Sequence, residues 1–443
     1  MINAAKRTFL PAYFALCLVL GGASNGGFVE NSVLQLLAAA ILLGLGIFGA
    51  RARTEIDPPF KWLFALISVV LIFQFVPIPM SVWTAFPGRS DIGADLAMLG
   101  VVPKPPLVTL SIHETIASFV WSLPPIALAF ALAFRPRLDV STFAAVLVAF
   151  AFLSIAIGLI QFFGDRNSAA YFYEITNRGL MVGFFANANH MATLLLVTLP
   201  FLSALARSAI EKRPQQKREL VTLWIILTGF VIIGILLVGS LTGFGLAIPV
   251  IIVSCAVMLP SIRKFARWAL IPALLLGGTI VALSDEVGNV FAEDSAGSQR
   301  GRDQIFATTF EAARHYWPAG TGLGTFREIY DNFEDVDAAD TTYVNHAHND
   351  YLEILLEFGA AGVLAIVAFL AWWARSLIKL SRMELRDPFV PAAGISSGVI
   401  LLHSFWDYPL RTVAIGCVFA MCCVVLARAI TQNLEGKTVP KLD

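Results

Sequence analysis

The sequence predicts an all-α polytopic membrane protein with about twelve transmembrane helices. Of its 443 residues, 57% are hydrophobic and only 14% are charged, a balance that soluble globular domains do not show. Apolar runs of about 20 residues, long enough to cross a bilayer core, recur along the whole chain. They lie at 8–24, 31–50, 61–78, 112–134, 138–163, 186–206, 220–238, 241–259, 268–284, 350–374, 389–404 and 411–428. We therefore expect a single transmembrane domain over residues 1–443.

The first run follows Lys6 and Arg7, as the apolar part of a signal peptide would. No clear cleavage site comes after it, and eleven further runs do, so we predict an uncleaved first span. The loops then indicate the orientation. With both termini inside, 22 of the 31 Lys and Arg residues fall on the inner side, as the positive-inside rule predicts for the cytoplasmic face.

This orientation leaves one large outer loop, residues 285–349. Within it, residues 302–317 place apolar side chains at helical spacing with charged residues between them, which predicts an amphipathic helix lying on the membrane surface. Gly320, Gly322 and Gly324 follow. Because no strand precedes these glycines, they predict a turn rather than a phosphate-binding loop.

All six histidines of the chain fall on the predicted outer side. They are His113, His190, His315, His346, His348 and His403. Histidine titrates near neutral pH, and ionisable groups in membrane spans mark functional sites by default. The asymmetry therefore predicts an outward-facing site. A transporter or flippase, the alternative from another class, would place polar residues near the bilayer midplane, whereas the spans from 220 to 284 have almost none there.

The stretch NHAHNDYLEILLEFGAAG joins the large loop to the tenth span. In it, His348 and Asn349 are followed after nine residues by Gly359, and then by Gly362. This spacing resembles the histidine motif of the O-antigen ligase and polymerase superfamily. These are polytopic enzymes that act on glycans linked to polyprenyl diphosphate.

Three other segments are similar to the same superfamily. Arg178 precedes GFFANANHMA, Arg302 precedes WPAGTGLGTF, and HSFWDYPLRT closes the region. Together they extend an O-antigen ligase-like region over residues 178–412. The chain departs from the pattern at GSLTGFG, because Leu241 and Thr242 stand where many members have the arginine of a Ser-Arg-Gly segment. The role of that arginine is left vacant near Ser240.

The resemblance implies a GT-C-like fold and an inverting glycosyltransferase that uses no metal or other cofactor. Such an enzyme transfers a glycan from undecaprenyl diphosphate to an acceptor hydroxyl at the periplasmic face of a bacterial inner membrane. Its partners would be the lipid-linked glycan, an acceptor glycan or lipid A core, and membrane lipid, with no nucleic acid. The family pattern leaves three reactions open: an O-antigen ligase, which we favour, a repeat-unit polymerase of O-antigen or exopolysaccharide, and a protein oligosaccharyltransferase.

This reaction needs positive charge at the leaving diphosphate and a base at the acceptor hydroxyl. Arginine matches phosphate oxygens, and Arg178, Arg302 and Arg411 all lie on the predicted outer side. Histidine, with an ordinary pKa near 6.5, suits the base, and the resemblance favours His348 over His346. We therefore predict His348 and Arg302 as catalytic residues. The predicted substrate-binding residues are Arg178, Asn189, His190, His346, Asn349 and Arg411.

Several neighbours of His348 also fit structural roles. Asp350 and Glu353 have the spacing of a helix N-terminal cap, and Glu357, one turn deeper, is a candidate partner for an outer arginine. The small residues at 359–362 would let another helix approach closely.

Other polar residues of the region have two interpretations. Asn189 and His190 would either line the pocket or hydrogen-bond to loop carbonyls. His346 and His348 could be half of a metal site, but no further ligand motif accompanies them, so we expect no metal.

Overall fold

The computed structural model describes residues 2–24, 29–48, 56–100, 105–135, 138–282, 293–335, 344–383 and 385–434. In these residues the regular structure is α-helical, with short 3-10 turns and one isolated β-bridge between Pro77 and Leu107. The helices are α1 Ile2–Leu20, α2 Val29–Phe48, α3 Pro58–Phe73, α4 Met80–Trp83, α5 Ser90–Met98, α6 Ile112–Ala133, α7 Val140–Phe163, α8 Ala188–Lys212, α9 Lys217–Val238, α10 Leu241–Met258, α11 Arg263–Ala282, α12 Glu293–His315, α13 Phe326–Tyr330, α14 Asp350–Ser381, α15 Phe389–His403 and α16 Val413–Leu434.

Each of the twelve predicted spans overlaps one of these helices. Among the described residues, seven helices are long and apolar enough to cross a membrane, namely α6, α7, α8, α9, α10, α14 and α16. Four more, α1, α2, α3 and α15, carry shorter apolar stretches. The prediction of an all-helical, multi-pass membrane protein is thus confirmed, whereas the count of twelve and the GT-C-like arrangement stay predictions.

The centre of the bundle is formed by α8 and α16. In α16, 89% of the apolar stretch is buried within the protein, and this helix packs on α1, α6 and α15. Helix α8 packs on α7, α9, α10 and α15. By contrast, α9 turns Ile225, Ile233 and Leu236 outward, as a helix in contact with lipid does. The outer ends of α8 and α15 therefore meet deep within the bundle rather than at its rim.

The large outer loop contains the helix that its sequence pattern predicts. Helix α12 covers residues 302–315 and packs on α14. A small second hydrophobic core, which includes Tyr316, Phe326 and Tyr330, packs against this helix. Two parts of the loop, 285–292 and 336–343, lie outside the described residues. The loop thus has a packed interior, while the position of α12 on the membrane surface stays a prediction.

The glycine turn after α12 docks onto a break in α14. Gly359 has non-helical angles, φ 53° and ψ −132°, and a Cβ built on it would lie 2.1 Å from Pro318 O. The Ala360 amide donates to Pro318 O at 2.9 Å, and the Gly322 amide donates to Glu357 O at 2.8 Å. The small residues of α14 therefore admit a close approach, as predicted, but the approaching segment is this turn and not another helix.

A buried arginine holds the outer segment between α3 and α6 against the same turn. Arg89 Nη2 donates to Val108 O at 2.7 Å and to Gly320 O at 2.8 Å. Its guanidinium also lies over the rings of Trp83 and Phe86. Burial lowers the pKa of Arg89 to about 10, so it remains charged at neutral pH. Sequence analysis did not single out this residue.

Candidate functional site

His348 lies where the outer loop enters α14, in an unusual backbone conformation. The helix begins with Asn349 as its N-cap, whose Oδ1 accepts the amides of Tyr351 and Leu352, each at 3.0 Å. His348 itself has φ 50°, a left-handed conformation that costs a non-glycine residue of order 1–3 kcal/mol and often occurs at functional sites. Its side chain remains 24% exposed. The sequence-predicted base is thus partly exposed at the predicted outer end of the bundle, while the Asn349 side chain is occupied in forming the helix end.

The nearest carboxylate to His348 belongs to Asp407, which lies in the short connection between α15 and α16. The Asp407 amide donates to His403 O at 3.1 Å, so the turn that ends α15 sets the position of the carboxylate. Asp407 Oδ1 lies 3.5 Å from His348 Nδ1 and 3.9 Å from His190 Nε2. The aspartate side chain is 1% exposed. A buried acid therefore stands directly behind the predicted base.

The electrostatics of Asp407 favour the ionised form. Burial alone would raise its pKa, but the neighbouring His348 ring and the charges of His190 and Arg302 hold the pKa well below its ordinary value. Because Asp407 Oδ1 lies 3.5 Å from His348 Nδ1, an ionised Asp407 favours the ring form that carries its hydrogen on Nδ1 and leaves the lone pair on Nε2. This is the tautomer that a general base acting through Nε2 requires.

Four of the six histidines meet around Asp407 and its neighbour Tyr408. The Tyr408 ring lies 4.5 Å from the ring of His346, 4.9 Å from that of His348 and 5.0 Å from that of His190. The two remaining histidines of the chain lie elsewhere, His113 beside Glu114 and His315 against Tyr316 and Phe333. Four of the histidines on the predicted outer side thus form one cluster, to which the start of α8, the segment before α14 and the end of α15 contribute.

His403 is held in one tautomer by its neighbours. Thr193 Oγ1 lies 2.9 Å from Asn189 O, to which it donates its only hydrogen. It also lies 2.8 Å from His403 Nδ1, so this nitrogen must carry a hydrogen and donate to the hydroxyl. His403 Nε2 is then an acceptor in the neutral ring. It is buried and has no hydrogen-bond partner among the described residues, and the same is true of Asp407 Oδ2.

The predicted catalytic arginine, Arg302, lies within electrostatic range of Asp407 and His403. It is half-buried on α12, and its charge acts on both Asp407 and His403. Within the described part of the chain, no ion pair joins it to a carboxylate. Arg302 therefore lies near the histidine cluster, and among the described residues its hydrogen-bond donors are not paired with a carboxylate.

Arg411 has a different environment from the one its predicted role suggests. Its guanidinium is surrounded by three carboxylates from one face of α14: Glu357 at 2.9 Å, Glu353 at 3.4 Å and Asp350 at 3.8 Å. All three carboxylates are buried. The pairing of Glu357 with an outer arginine agrees with the sequence-based expectation. The geometry favours a structural role for Arg411 over contact with a diphosphate.

The same ion cluster fixes His346. Its Nδ1 lies 2.8 Å from Glu353 Oε1, and its Nε2 lies 3.2 Å from Ser24 O. Burial opposes protonation, but the charge and hydrogen bond of Glu353 more than offset it, so the pKa of His346 is raised above its ordinary value. A charged imidazole whose two nitrogens are both hydrogen-bonded is a poor general base. This environment distinguishes His346 from His348.

The remaining predicted site residues lie at the edges of the cluster. Asn189 Oδ1 accepts a hydrogen bond from Ser240 Oγ at 2.6 Å, and Ser240 is the N-cap of α10. His190 is fully buried, and neither ring nitrogen has a hydrogen-bond partner among the described residues. Arg178 is exposed, with its guanidinium over the Tyr171 ring and a hydrogen bond to a loop carbonyl. Arg178 thus stands on the surface near α8 and makes no ion pair in the described structure.

Asp407 is the residue that sequence reasoning missed. It lies in the segment HSFWDYPLRT, which was recognised only as part of a resemblance. The available signal was an acidic residue within a connection of a few residues between two apolar helices, four positions after a histidine. That position marks it as a group at the membrane surface, but nothing local shows that it faces His348.

A comparison with known families finds one match, which covers part of the chain. Residues 224–367, about a third of the chain, match the family model described as O-antigen ligase. The matched segment includes Arg302, His348 and the glycines of α14, and it ends before Asp407. No curated protein matches the chain.

Proposed function

Because residues 224–367 match the family model described as O-antigen ligase, we propose that the chain is a glycosyltransferase of surface polysaccharide biosynthesis. In this proposal it transfers a glycan from undecaprenyl diphosphate to an acceptor hydroxyl at the periplasmic face of the inner membrane. The observation that carries the proposal is the pair formed by His348 and the buried Asp407 at the outer end of the bundle. An oriented imidazole of this kind is what the deprotonation of a hydroxyl requires.

The proposed reaction is a single displacement at the anomeric carbon. The acceptor oxygen forms the new glycosidic bond while its proton passes to His348 Nε2. The bond between the anomeric carbon and the diphosphate oxygen breaks, and the lipid diphosphate leaves with the electron pair. Attack opposite to the leaving group inverts the anomeric configuration. Asp407 stabilises the imidazolium that forms, as a carboxylate behind a catalytic histidine does.

Arg302 is the proposed ligand of the leaving diphosphate. A guanidinium has five donors, so one edge can bond to Asp407 Oδ2 and His403 Nε2 while the other edge faces phosphate oxygens. Charge that is preorganised in this way stabilises the leaving group without a metal ion. We propose a metal-independent reaction on this basis, and transfer should persist in a chelator. Arg178 extends the same positive surface toward α8.

The direct test compares substituted proteins in transfer from a lipid-linked glycan. His348→Ala and Arg302→Ala should each abolish transfer while protein levels in the membrane stay normal. His315→Ala and Arg314→Ala are the matched controls, because both lie at the end of α12 away from Asp407, and they should retain activity. Full activity of both the His348 and Arg302 variants would refute the assigned site.

The acceptor is tested in the organism. Loss of a ligase leaves long lipid-linked polymer, whereas loss of a repeat-unit polymerase leaves single repeats, so the glycan of a deletion strain separates the two reactions. We propose the ligase reaction, on the resemblance of the closing segment at 403–412. If reconstituted protein moved lipid-linked sugar across a bilayer without forming a glycosidic bond, a flippase would replace both.

A further inference from the structure

Three helices connect the histidine cluster to a second polar site at the opposite end of the bundle. Helix α8 carries His190 near its start and Arg207 near its other end. Helix α14 starts beside His348 and ends shortly before Met383, whereas α15 starts shortly after Arg386 and ends at His403. The ends of α8, α14 and α15 that lie far from Asp407 therefore come together in one place.

At this place the protein forms a cavity of about 510 Å³. It is lined by three arginines, one acid and two apolar side chains: Arg207, Arg263, Arg386, Glu211, Met383 and Leu385. Cations thus outnumber anions among the described lining residues. The apolar side chains beside them make the cavity amphipathic.

The charges of the cavity are only partly compensated. Arg207 Nε is bonded to Glu211 at 2.8 Å, but Arg207 Nη1 is buried and has no hydrogen-bond partner among the described residues. Burial lowers the pKa of Arg263, and the charge of Arg207 lowers it further, so the two guanidinium groups repel each other. Nearby, Asp387 uses Oδ1 to accept the Phe389 amide at the start of α15. An unpaired buried donor next to two cations that repel each other favours the binding of an anion.

The depth of the cavity matches the headgroup level of a bilayer. Arg207 follows His190 by 17 residues in α8, which corresponds to about 25 Å along a helix, close to the roughly 30 Å of a hydrocarbon core. Phe265 and Trp268, in the first turns of α11, are 71% and 79% exposed. An exposed tryptophan at the end of a membrane helix marks the interface between hydrocarbon and water.

We propose that the cavity formed by Arg207, Arg263 and Arg386 binds the phosphate group of an anionic lipid in the leaflet opposite the histidine cluster. The arginine side chains bind the phosphate oxygens, and Met383 and Leu385 contact the apolar part of the lipid next to its headgroup. With the proposed orientation, this is the cytoplasmic leaflet. Basic pockets between membrane helices on that side bind such headgroups in general. The site takes no part in the proposed transfer reaction, so the two proposals fail independently.

The test measures lipid binding to the full-length protein in a neutral detergent by native mass spectrometry. Short-chain phosphatidylglycerol is titrated against wild type, Arg207→Gln, Arg263→Gln and Arg218→Gln. Each of the first two substitutions should weaken the first binding event about fivefold, the effect of about one cationic side chain at a membrane surface. Arg218→Gln is the matched control, because this exposed arginine lies on the same face outside the cavity, and it should bind like wild type.

Further ligands identify the group that is bound. Phosphatidylcholine of the same chain length should bind more weakly than phosphatidylglycerol, and inorganic phosphate should compete only at much higher concentration. Equal affinities in Arg207→Gln and Arg218→Gln, or equal binding of the two lipids, would overturn the proposal. Competition by phosphate as strong as that by the lipid would assign the site to free phosphate instead.

Discussion

Replacing Arg411 with glutamine should destabilise the protein strongly. The substitution removes the cation that lies 2.9 Å from Glu357, 3.4 Å from Glu353 and 3.8 Å from Asp350. Three buried carboxylates would then face one another with His346 as the nearest cationic partner. Removing one member of a buried ion pair costs about 3–5 kcal/mol, and we expect Arg411→Gln to lose a free energy of unfolding in this range.

The assay is a double-mutant cycle on the free energy of unfolding, measured by denaturant titration in detergent. Glu357→Gln is the second substitution, since Glu357 makes the shortest contact with Arg411. In Arg411→Gln, removal of the Glu357 charge relieves repulsion, so the double variant should be more stable than the sum of the single losses predicts. We expect a coupling energy of about 1–3 kcal/mol, as for contacting charged residues in general.

The opposite outcome would restore the role that the sequence suggests for Arg411. If Arg411→Gln unfolded like wild type, showed no coupling with Glu357, and raised the KM for the lipid-linked donor, then Arg411 would bind the diphosphate. The structural role of Arg411 in the ion cluster would then be refuted.

Three further predictions concern the histidine cluster, and one concerns the break in α14. Asp407→Asn should lower kcat/KM for glycan transfer by about 10²–10⁴-fold, the contribution of a general base, with normal protein levels. His403→Gln keeps an acceptor at the Nε2 position, whereas His403→Asn does not. The asparagine variant should therefore be about 10–100-fold less active than the glutamine variant, which corresponds to the loss of one hydrogen bond to a charged group. His346→Gln should destabilise the protein most below pH about 6.5, the ordinary histidine pKa, and the difference should shrink as pH rises through the raised pKa of the native histidine, as measured by unfolding at several pH values. Gly359→Ala should cost about 2 kcal/mol or more of unfolding free energy, because a left-handed conformation is combined with a contact of 2.1 Å to Pro318 O.

Each of these predictions has an outcome that contradicts it. Asp407→Asn with wild-type kcat/KM would remove the acid from the mechanism, and equal activity of the two His403 variants would contradict the tautomer set by Thr193. A stability difference for His346→Gln that grew with rising pH would reverse the sign expected for a histidine with a raised pKa. Gly278→Ala is the control for Gly359→Ala, because its added Cβ meets no atom within 4 Å. Equal losses at the two glycines would show that the break in α14 is not selective for glycine.

Local patterns in the sequence predicted much of the fold and part of the site. Long apolar runs correspond to helices, and helical spacing in the outer loop predicted α12, because hydropathy and periodicity depend only on neighbours in the chain. The position of His348 at the start of a helix followed from the same patterns. Asp407 could not be found in this way, because its contact with His348 spans 59 residues and depends on how α14 and α15 pack.

By itself, the sequence determined that this is a helical membrane protein with its histidines gathered toward one side. It also placed Asp350, Glu353 and Glu357 on one face of α14, since their spacing matches the helical repeat. Only the tertiary structure decided which charges meet. Arg411 was open to a role at the diphosphate until the packing of α14 against the connection between α15 and α16 placed three carboxylates around it. The same packing set Asp407 behind His348. Such a pair depends on the relative position of helices that are distant in the chain. Composition and local spacing do not determine that position.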